Sequence, residues 1–193
     1  MKKSLLSGFS IGLLLFGVVS SANADVLTFD DTSYQGTYWG DLDAGYGGFN
    51  WSNNFDVYYG PGISSAYDAG TVSGDYAAFN SYGVDVSVAS GTFDWTGAWF
   101  NDPHNNTLLS ISGLAGGVEL YSTDLQLSYA SPIWFQADWI GIDTIAFNVV
   151  ESDWFTMDDF TFNESQSVAE PTTLTLLGLG LTFLGFSKRK KTA

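Results

Sequence analysis

Hydrophobic and polar residues alternate with a period of two in several stretches of this chain. In residues 84–88, three valines alternate with an aspartate and a serine, and similar alternation occurs in residues 93–99, 125–129 and 144–149. Successive side chains of a β-strand point to opposite faces, so this pattern predicts strands with one buried and one solvated face. No convincing 3.6-residue period, the signature of an amphipathic helix, occurs in residues 25–167.

Turn signals separate these alternating stretches. A glycine-rich segment spans residues 113–117, and a loop rich in Asn, Asp and Pro spans residues 101–106. Roughly ten short strands joined by such turns predict an all-β fold, an antiparallel two-sheet sandwich. A jelly-roll-like topology is the preferred arrangement.

The distribution of charge restricts both stability and partners. The 193-residue chain has six basic residues, at positions 2, 3 and 188–191, and none in residues 25–168. That segment contains 20 of the 21 acidic residues, Glu170 being the other. Nucleic acid is therefore excluded as a direct partner, because neutralising phosphates requires Lys or Arg. The unscreened carboxylates repel one another, which makes divalent cations natural partners. Cysteine is absent, so the fold uses no disulfide.

Residues 1–24 have the three parts of a secretory signal peptide. Lys2 and Lys3 are followed by an apolar run and by the small residues Ala22 and Ala24 of a cleavage site. The sequence therefore predicts export through the inner membrane, with a mature chain beginning at Asp25. Residues 25–167 form one predicted extracytoplasmic domain, long enough to bury a core.

Residues 168–193 form a tripartite tail. A short motif at residues 168–171 precedes a predicted membrane helix, residues 172–187, and the tail ends in a basic cluster. The uncharged run 171–187 has 17 residues, about 25 Å as a helix, which spans a thinned bilayer. Cations after such a run stay cytoplasmic and stop transfer, which a buried core helix would not require. The cluster is Lys188, Arg189, Lys190 and Lys191.

The tail resembles the PEP-CTERM sorting signal of Gram-negative bacteria, in which a Pro-Glu-Pro motif precedes a short Gly/Leu-rich helix and an Arg-rich end. Glu170 and Pro171 match the motif, Ala169 stands where the first proline is usual, and the basic end is mostly lysine. The resemblance implies recognition by exosortase, a membrane protease-transpeptidase. It also implies that the helix holds the protein in the membrane before processing, and that the processed protein reaches the cell surface or the extracellular matrix.

Three internal segments, residues 47–53, 73–80 and 155–162, also resemble phrases that recur in exported proteins with this sorting signal. Those proteins look like lectin or carbohydrate-binding jelly rolls. Because the sorting system accompanies exopolysaccharide production, the resemblance implies an extracellular polysaccharide as partner.

Aromatic residues are concentrated in residues 34–67, interleaved with Gly, Asn and Asp. Flat rings stack on sugar faces while polar side chains bind the hydroxyl groups, so this composition indicates a carbohydrate site. The alternative is that the rings fill the core, which we expect for Trp51 and Phe55 in particular. The candidate ligand-binding residues are Tyr38, Trp39, Tyr46, Tyr58 and Tyr59.

Two acidic pairs predict a structural calcium site. Asp30 and Asp31 end the predicted first strand, while Asp158 and Asp159 lie in the predicted last strand. First and last strands are often neighbours, and calcium binds six to eight oxygens. The alternative is that these are solvated carboxylates at strand ends.

The predicted last strand also changes parity. Phe155 and Met157 share one face, whereas Phe160 and Phe162 share the other. Keeping all four in the core requires a β-bulge at Asp158 and Asp159, which we expect to turn a carboxylate outward. A second calcium candidate is the pair Asp41 and Asp43, which lacks the later ligands of a calcium loop.

No catalytic residue is predicted. His104 is the single histidine and lies in a loop, and a histidine without positioned partners is not a general base. A non-catalytic glycan-binding surface or matrix protein is the favoured function. The alternatives are a purely structural acidic matrix component and a glycoside hydrolase using a carboxylate pair.

Overall fold

The computed structural model describes residues 24–150 and 152–164. The predicted signal peptide and sorting tail therefore lie outside the described residues. The described part has ten strands and one short α-helix: β1 (Asp25–Leu27), β2 (Trp39–Asp41), β3 (Asn50–Trp51), β4 (Phe55–Tyr59), α1 (Ser65–Gly70), β5 (Tyr76–Asn80), β6 (Val86–Asn101), β7 (Leu108–Ala115), β8 (Val118–Gln126), β9 (Ile133–Val149) and β10 (Thr156–Glu164).

Every strand pairing in the described residues is antiparallel, which confirms the prediction of an all-β fold. The main path of hydrogen-bonded strands is β2-β4-β5-β10-β6-β9-β7-β8, with β1 beside β10 and β3 beside β6. Helix α1 was not predicted. Its six residues are too few to show a helical period, and its start is fixed by the Ser64 side chain, which accepts a bond from the Tyr67 N–H.

The two longest strands belong to both layers of a sandwich. The first part of β6 pairs with β3, and residues 93–101 pair with β10, while β9 accompanies β6 along both parts. The pairing register of β6 against β9 shifts three times between Ala89 and Gly97. Rings from the two layers then meet inside: Phe55 of β4 lies 5.8 Å from Phe147 of β9, centroid to centroid.

The core is rich in aromatic side chains. Because residues 25–168 contain no Lys or Arg, the domain has no Lys or Arg ion pairs and depends on such packing for stability. Trp95 is the centre of the core. Its ring is fully buried and lies 5.2 Å from Trp139, 5.8 Å from Phe160 and 6.1 Å from Phe147. Edge-to-face and offset contacts at these distances stabilise a core beyond simple burial of area. Phe55 is buried and Trp51 packs against it, as expected from the sequence.

The parity change in the last strand is confirmed. Phe155, Met157, Phe160 and Phe162 are all buried, and the register of β10 against β6 shifts just after Asp158. Asp159 adopts a left-handed conformation with φ of 49° at this irregularity. The first and last strands are also neighbours, since β1 pairs with the end of β10.

Within residues 24–150 and 152–164, no helix has the length and apolar character needed to cross a membrane.

Candidate functional site

Strand β4 presents different side chains to its two faces. Phe55 and Val57 point into the core, so Asp56 and Tyr58 point to the outer face of the layer. Trp39 of β2 lies directly opposite Tyr58 and therefore shares that face. These residues form the floor of a cleft, which we call the aromatic cleft.

The aromatic cleft has a volume of about 440 Å³, a size suited to a small organic ligand. Eight of its ten lining residues carry rings. The lining residues are Tyr38, Trp39, Tyr58, Ile63, Tyr67, Phe79, Ser81, Tyr82, His104 and Trp154.

Three of these rings project from the surface rather than packing into the core. Tyr38 is 71% exposed, Trp39 is 57% exposed and Tyr82 is 71% exposed. Large rings exposed together around a concavity mark an interaction site, because a soluble domain rarely leaves such a patch uncovered without a use for it. Their positions at the rim leave flat faces free to contact a ligand.

Buried polar side chains hold the walls of the cleft in place. Asn80 accepts a bond from the Phe155 N–H (2.7 Å) and donates to the Asp153 carbonyl (3.0 Å), so Trp154 is fixed between two anchored residues. Asp102 is fully buried and accepts from the N–H groups of His104, Asn105 and Thr107 at 2.7–2.8 Å. The wall is thus preorganised rather than shaped by the ligand.

His104 joins these walls to α1. Its Nε2 lies 3.2 Å from the Tyr67 hydroxyl, and its ring contacts that of Trp154 edge-to-face at 5.1 Å. This loop histidine is exposed to solvent and also lines the cleft. These contacts hold the imidazole ring in the wall of the cleft.

The tyrosines in the floor remain protonated hydrogen-bond donors. Burial raises the pKa of Tyr58, and burial together with the nearby Asp102 carboxylate raises the pKa of Tyr67. The Tyr58 hydroxyl donates to the Tyr67 carbonyl at 3.1 Å, which holds α1 against the sheet.

Two of the five candidate ligand-binding residues, both tyrosines, lie elsewhere. Tyr59 faces the core side of β4 and packs against Tyr76 at 5.3 Å, whereas Tyr46 stacks on Phe29 and donates to Asp31 at 2.6 Å. Tyr38, Trp39 and Tyr58 are the candidates that the structure brings together. Sequence reasoning missed Phe79, Tyr82, His104 and Trp154, which come from segments outside the aromatic-rich region.

A pair of carboxylates lies on the same outer face. Asp41 of β2 is directly opposite Asp56 of β4. Asp56 is 3% exposed and hydrogen-bonds to Ser81 of the cleft, and burial, with a contribution from Asp41, raises its pKa. Asp41 is exposed. Only one of the two carboxylates is therefore open to a ligand.

The residues of the predicted calcium site surround one loop. Asp158 accepts from the N–H groups of Val72 and Ser73 at 2.7 and 2.8 Å, and Asp30 accepts from the N–H groups of Asp75 and Tyr76 at 2.8 and 3.1 Å. The expectation that the bulge turns a carboxylate outward is wrong for Asp158, which is fully buried. The reason is that this carboxylate satisfies backbone donors of the loop.

The remaining acidic candidates have other partners. Asp159 accepts from the Ser73 hydroxyl at 2.7 Å, and Asp31 accepts from the Tyr46 hydroxyl. Asp43 binds the N–H and the hydroxyl of Ser33. In the part of the chain that the structure describes, no group of three or more His, Asp or Glu side chains is arranged to hold a metal ion. Calcium binding stays a prediction from the sequence.

Thermal unfolding tests the predicted calcium binding. If calcium binds the folded chain near Asp31 and Asp159, millimolar calcium should raise the free energy of unfolding over that in EDTA, by about 2.7 kcal/mol at a hundredfold excess over the dissociation constant. The shift should be lost in Asp159→Asn and kept in Asp124→Asn, an exposed residue of β8. An equal shift with magnesium would indicate general charge screening, and an unchanged midpoint would rule the site out.

No protein-family profile and no curated protein matches this chain. Among solved structures, TmCBM61 in complex with β-1,4-galactotriose is 14% identical, covering 60% of this chain and 88% of its own, with a TM-score of 0.35. The CBM22-1 xylan-binding domain from Paenibacillus barcinonensis Xyn10C is 9% identical, covering 77% and 100%, with a TM-score of 0.40. A CBM51 domain from Clostridium perfringens GH95, bound to methyl-galactose, is 11% identical, covering 72% and 99%, with a TM-score of 0.35. Similarity at this level assigns no function to the chain.

Proposed function

We propose that this chain is an exported, non-catalytic glycan-binding protein of the cell surface or extracellular matrix, built on a jelly-roll-like sandwich. The observation that carries the proposal is the aromatic cleft, with exposed rings at its rim and anchored walls. Flat rings match the CH-rich faces of sugars, and the Tyr and Trp polar groups can bind hydroxyls.

The absence of Lys and Arg from the domain favours an uncharged ligand. The segment 25–168 has no Lys or Arg, so it offers no ammonium or guanidinium group to pair with a carboxylate, sulfate or phosphate on a ligand. A neutral polysaccharide satisfies the rings without introducing further repulsion.

The test is affinity electrophoresis of the full-length protein in gels containing β-1,4-galactan, xylan or a soluble β-glucan. A polyoxyethylene-ether detergent, which carries no sugar, keeps the tail in solution. We expect retardation by at least one polysaccharide, weakened about tenfold or more by Trp39→Ala, because exposed aromatic anchors dominate such interfaces. The control Val118→Ala changes a 63% exposed residue on β8 and should leave the affinity unchanged.

Binding that survives Trp39→Ala undiminished would show that the cleft is not the site. Failure of every neutral glycan to retard the protein would favour a purely structural, acidic matrix role instead.

A hydrolase is the second candidate, favoured by the Asp41 and Asp56 pair with its raised Asp56 pKa. Retaining glycosidases place two carboxyl groups about 5 Å apart on either side of the glycosidic bond. We rank it below binding because Asp56 is buried and held by Ser81. Release of reducing sugar by the wild type, lost in Asp56→Asn, would reverse this order.

Sorting by exosortase completes the proposal and is supported by the sequence of the two terminal segments. Glu170 and Pro171 are the residues on which recognition would depend. Replacing both with alanine should leave the protein in the membrane fraction. If the variant reached the surface as the wild type does, the motif would not be a sorting signal.

A further inference from the structure

A pair of partly exposed rings lies outside the aromatic cleft. Trp99 of β6 and Trp134 of β9 are directly opposite each other in the ladder, with ring centroids 5.7 Å apart and planes inclined by 63°. Both are only partly buried, whereas Ala98 and Phe100 on either side of Trp99 are in the core. Trp99 therefore points out of the layer, and we call these two residues the tryptophan pair.

Two hydrogen-bonded polar side chains lie next to the tryptophan pair on β9. The Trp134 indole N–H donates to the Gln136 side-chain oxygen at 2.7 Å, and the Gln136 amide donates to Asp138 at 2.6 Å. Gln136 and Asp138 are exposed, with oxygen lone pairs still open to solvent. A ring face beside amide and carboxylate groups is therefore present on strands that do not line the cleft.

The two surfaces share one side of the same layer. On the cleft side, Trp39 is paired with Tyr58, which is paired in turn with Ala77 of β5. On the next strand, β10, Asp158 is paired with Trp99. Trp99 is paired with Trp134 of β9. Directly opposite residues lie on the same face of an antiparallel ladder. From β2 the path crosses four strand spacings to β6 and five to β9, so Trp39 lies about 19–24 Å from the tryptophan pair along the sheet.

Helix α1 stands between them and keeps them separate. Asn101 of β6 donates to the Ala66 carbonyl at 2.8 Å, and the Tyr58 hydroxyl donates to the Tyr67 carbonyl at 3.1 Å, so α1 is fixed across the middle of the layer. A sugar bound in the cleft does not continue along the sheet to the tryptophan pair. Only a ligand long enough to pass over the helix can reach both.

The charge and the ring surface of the tryptophan pair indicate which ligand it binds. An anionic ligand meets no Lys or Arg side chain, since residues 25–168 contain none. A protein partner would leave Gln136 and Asp138 to be desolvated, at a cost unless each found a partner. A chain of uncharged, hydroxyl-bearing rings satisfies both the indole faces and these polar groups.

We propose that the tryptophan pair is a second glycan-binding site, so that the protein holds a neutral polysaccharide at two points. This rests on the glycan-binding function proposed for the cleft, which it deepens by setting a preference for long chains over short oligosaccharides. Linking two sites through one ligand makes the second contact intramolecular, which strengthens binding by about 10²–10⁴ over either site alone.

The experiment uses the full-length protein in the sugar-free detergent with β-1,4-galactan, xylan and β-glucan as polysaccharides and their trisaccharides as short ligands. The indole N–H signals in nuclear magnetic resonance spectra are assigned from Trp→Phe variants, and each reports its own site. We expect signals of Trp99 and Trp134 to shift on adding a polysaccharide, in the wild type and in Trp39→Ala. Trp134→Ala should weaken polysaccharide binding about tenfold or more and leave trisaccharide binding at the cleft unchanged.

Gln136→Ala provides a second variant, because it removes an exposed polar group without removing a ring and should weaken polysaccharide binding while unfolding at the wild-type temperature. Shifts of Trp39 and Trp154 with no shift of Trp134, or wild-type affinity in Trp134→Ala, would overturn the second site and leave the cleft standing. Shifts of Trp134 without those of Trp39 and Trp154 would instead overturn the proposed cleft function. No shift in any tryptophan would overturn both.

Discussion

Trp95→Ala is expected to lower the free energy of unfolding by about 3–5 kcal/mol. The ring is fully buried and contacts rings from both layers, including Trp139 and Phe147. Removing it leaves a cavity that strands on opposite sides cannot easily close, so lost burial and lost packing add. Chemical denaturation followed by far-ultraviolet circular dichroism measures the change.

Trp95→Phe tests a smaller change at the same position. The buried indole N–H of Trp95 has no hydrogen-bond partner among the described residues, so phenylalanine removes an unsatisfied donor as well as some volume. We therefore expect a cost of only about 1 kcal/mol. Trp134→Ala, at a partly exposed position, should also cost about 1 kcal/mol or less. Equal effects of Trp95→Ala and Trp134→Ala would contradict the central role of Trp95.

Asp158→Ala is expected to destabilise the fold by about 3 kcal/mol or more. Its carboxylate accepts from the N–H groups of Val72, Ser73 and Asp159 at 2.7–2.8 Å, and it is fully buried. Alanine leaves these donors without an acceptor, each at a cost of about 1–3 kcal/mol if it stays buried. Asp158→Asn keeps the shape but sets an amide donor against one of the N–H groups, so it should also destabilise.

The matched control is Asp159→Asn, which changes the neighbouring, less buried acid. Asparagine tolerates the left-handed conformation at this position, and its amide oxygen can still accept from Ser73. We expect a change of about 0.5 kcal/mol or less. If Asp159→Asn were as harmful as Asp158→Asn, negative charge at the bulge rather than the three buried bonds would be the stabilising feature.

The stability should also depend on pH through Asp158. Burial raises its pKa from 3.8 to about 7, outweighing the N–H groups of Ser73 and Asp159, which lower it. The folded state then binds the proton more tightly than the unfolded state, so the stability falls as the pH rises from about 4 to about 7. The slope from one proton is at most about 1.4 kcal/mol per pH unit. Comparing the wild type with Asp158→Asn across pH 5–8 isolates this contribution, and equal slopes would contradict it.

Local sequence patterns predicted the strands well. The bulge in β10 followed from parity alone, because Phe155 and Met157 could not share a face with Phe160 and Phe162 in a regular strand. The same argument could have distinguished Tyr58 from Tyr59: Tyr59 shares its face with Phe55 and Val57, whereas Tyr58 shares its face with Asp56.

What the sequence could not supply was the identity of distant partners. Two of the three donors to Asp158, Val72 and Ser73, are more than 80 positions away in the chain, so its burial is decided largely by tertiary packing. The aromatic cleft has the same origin. Trp154 and His104 enter it because Asn80 and Asp102 fix their loops, and neither ring stands out in a composition dominated by aromatic residues.

The pairing of β1 with the end of β10 places both ends of the described domain close together, away from the aromatic cleft. Asp25 lies opposite Phe162, so the first and last described strands meet near the end of β10. The cleft lies near the start of β10, beside Trp154 and Thr156. The length of β10 places the cleft about 20–25 Å from the paired end. Under the proposed sorting, attachment through either end would hold the domain at the end remote from the aromatic cleft, so the cleft would stay accessible to the proposed glycan.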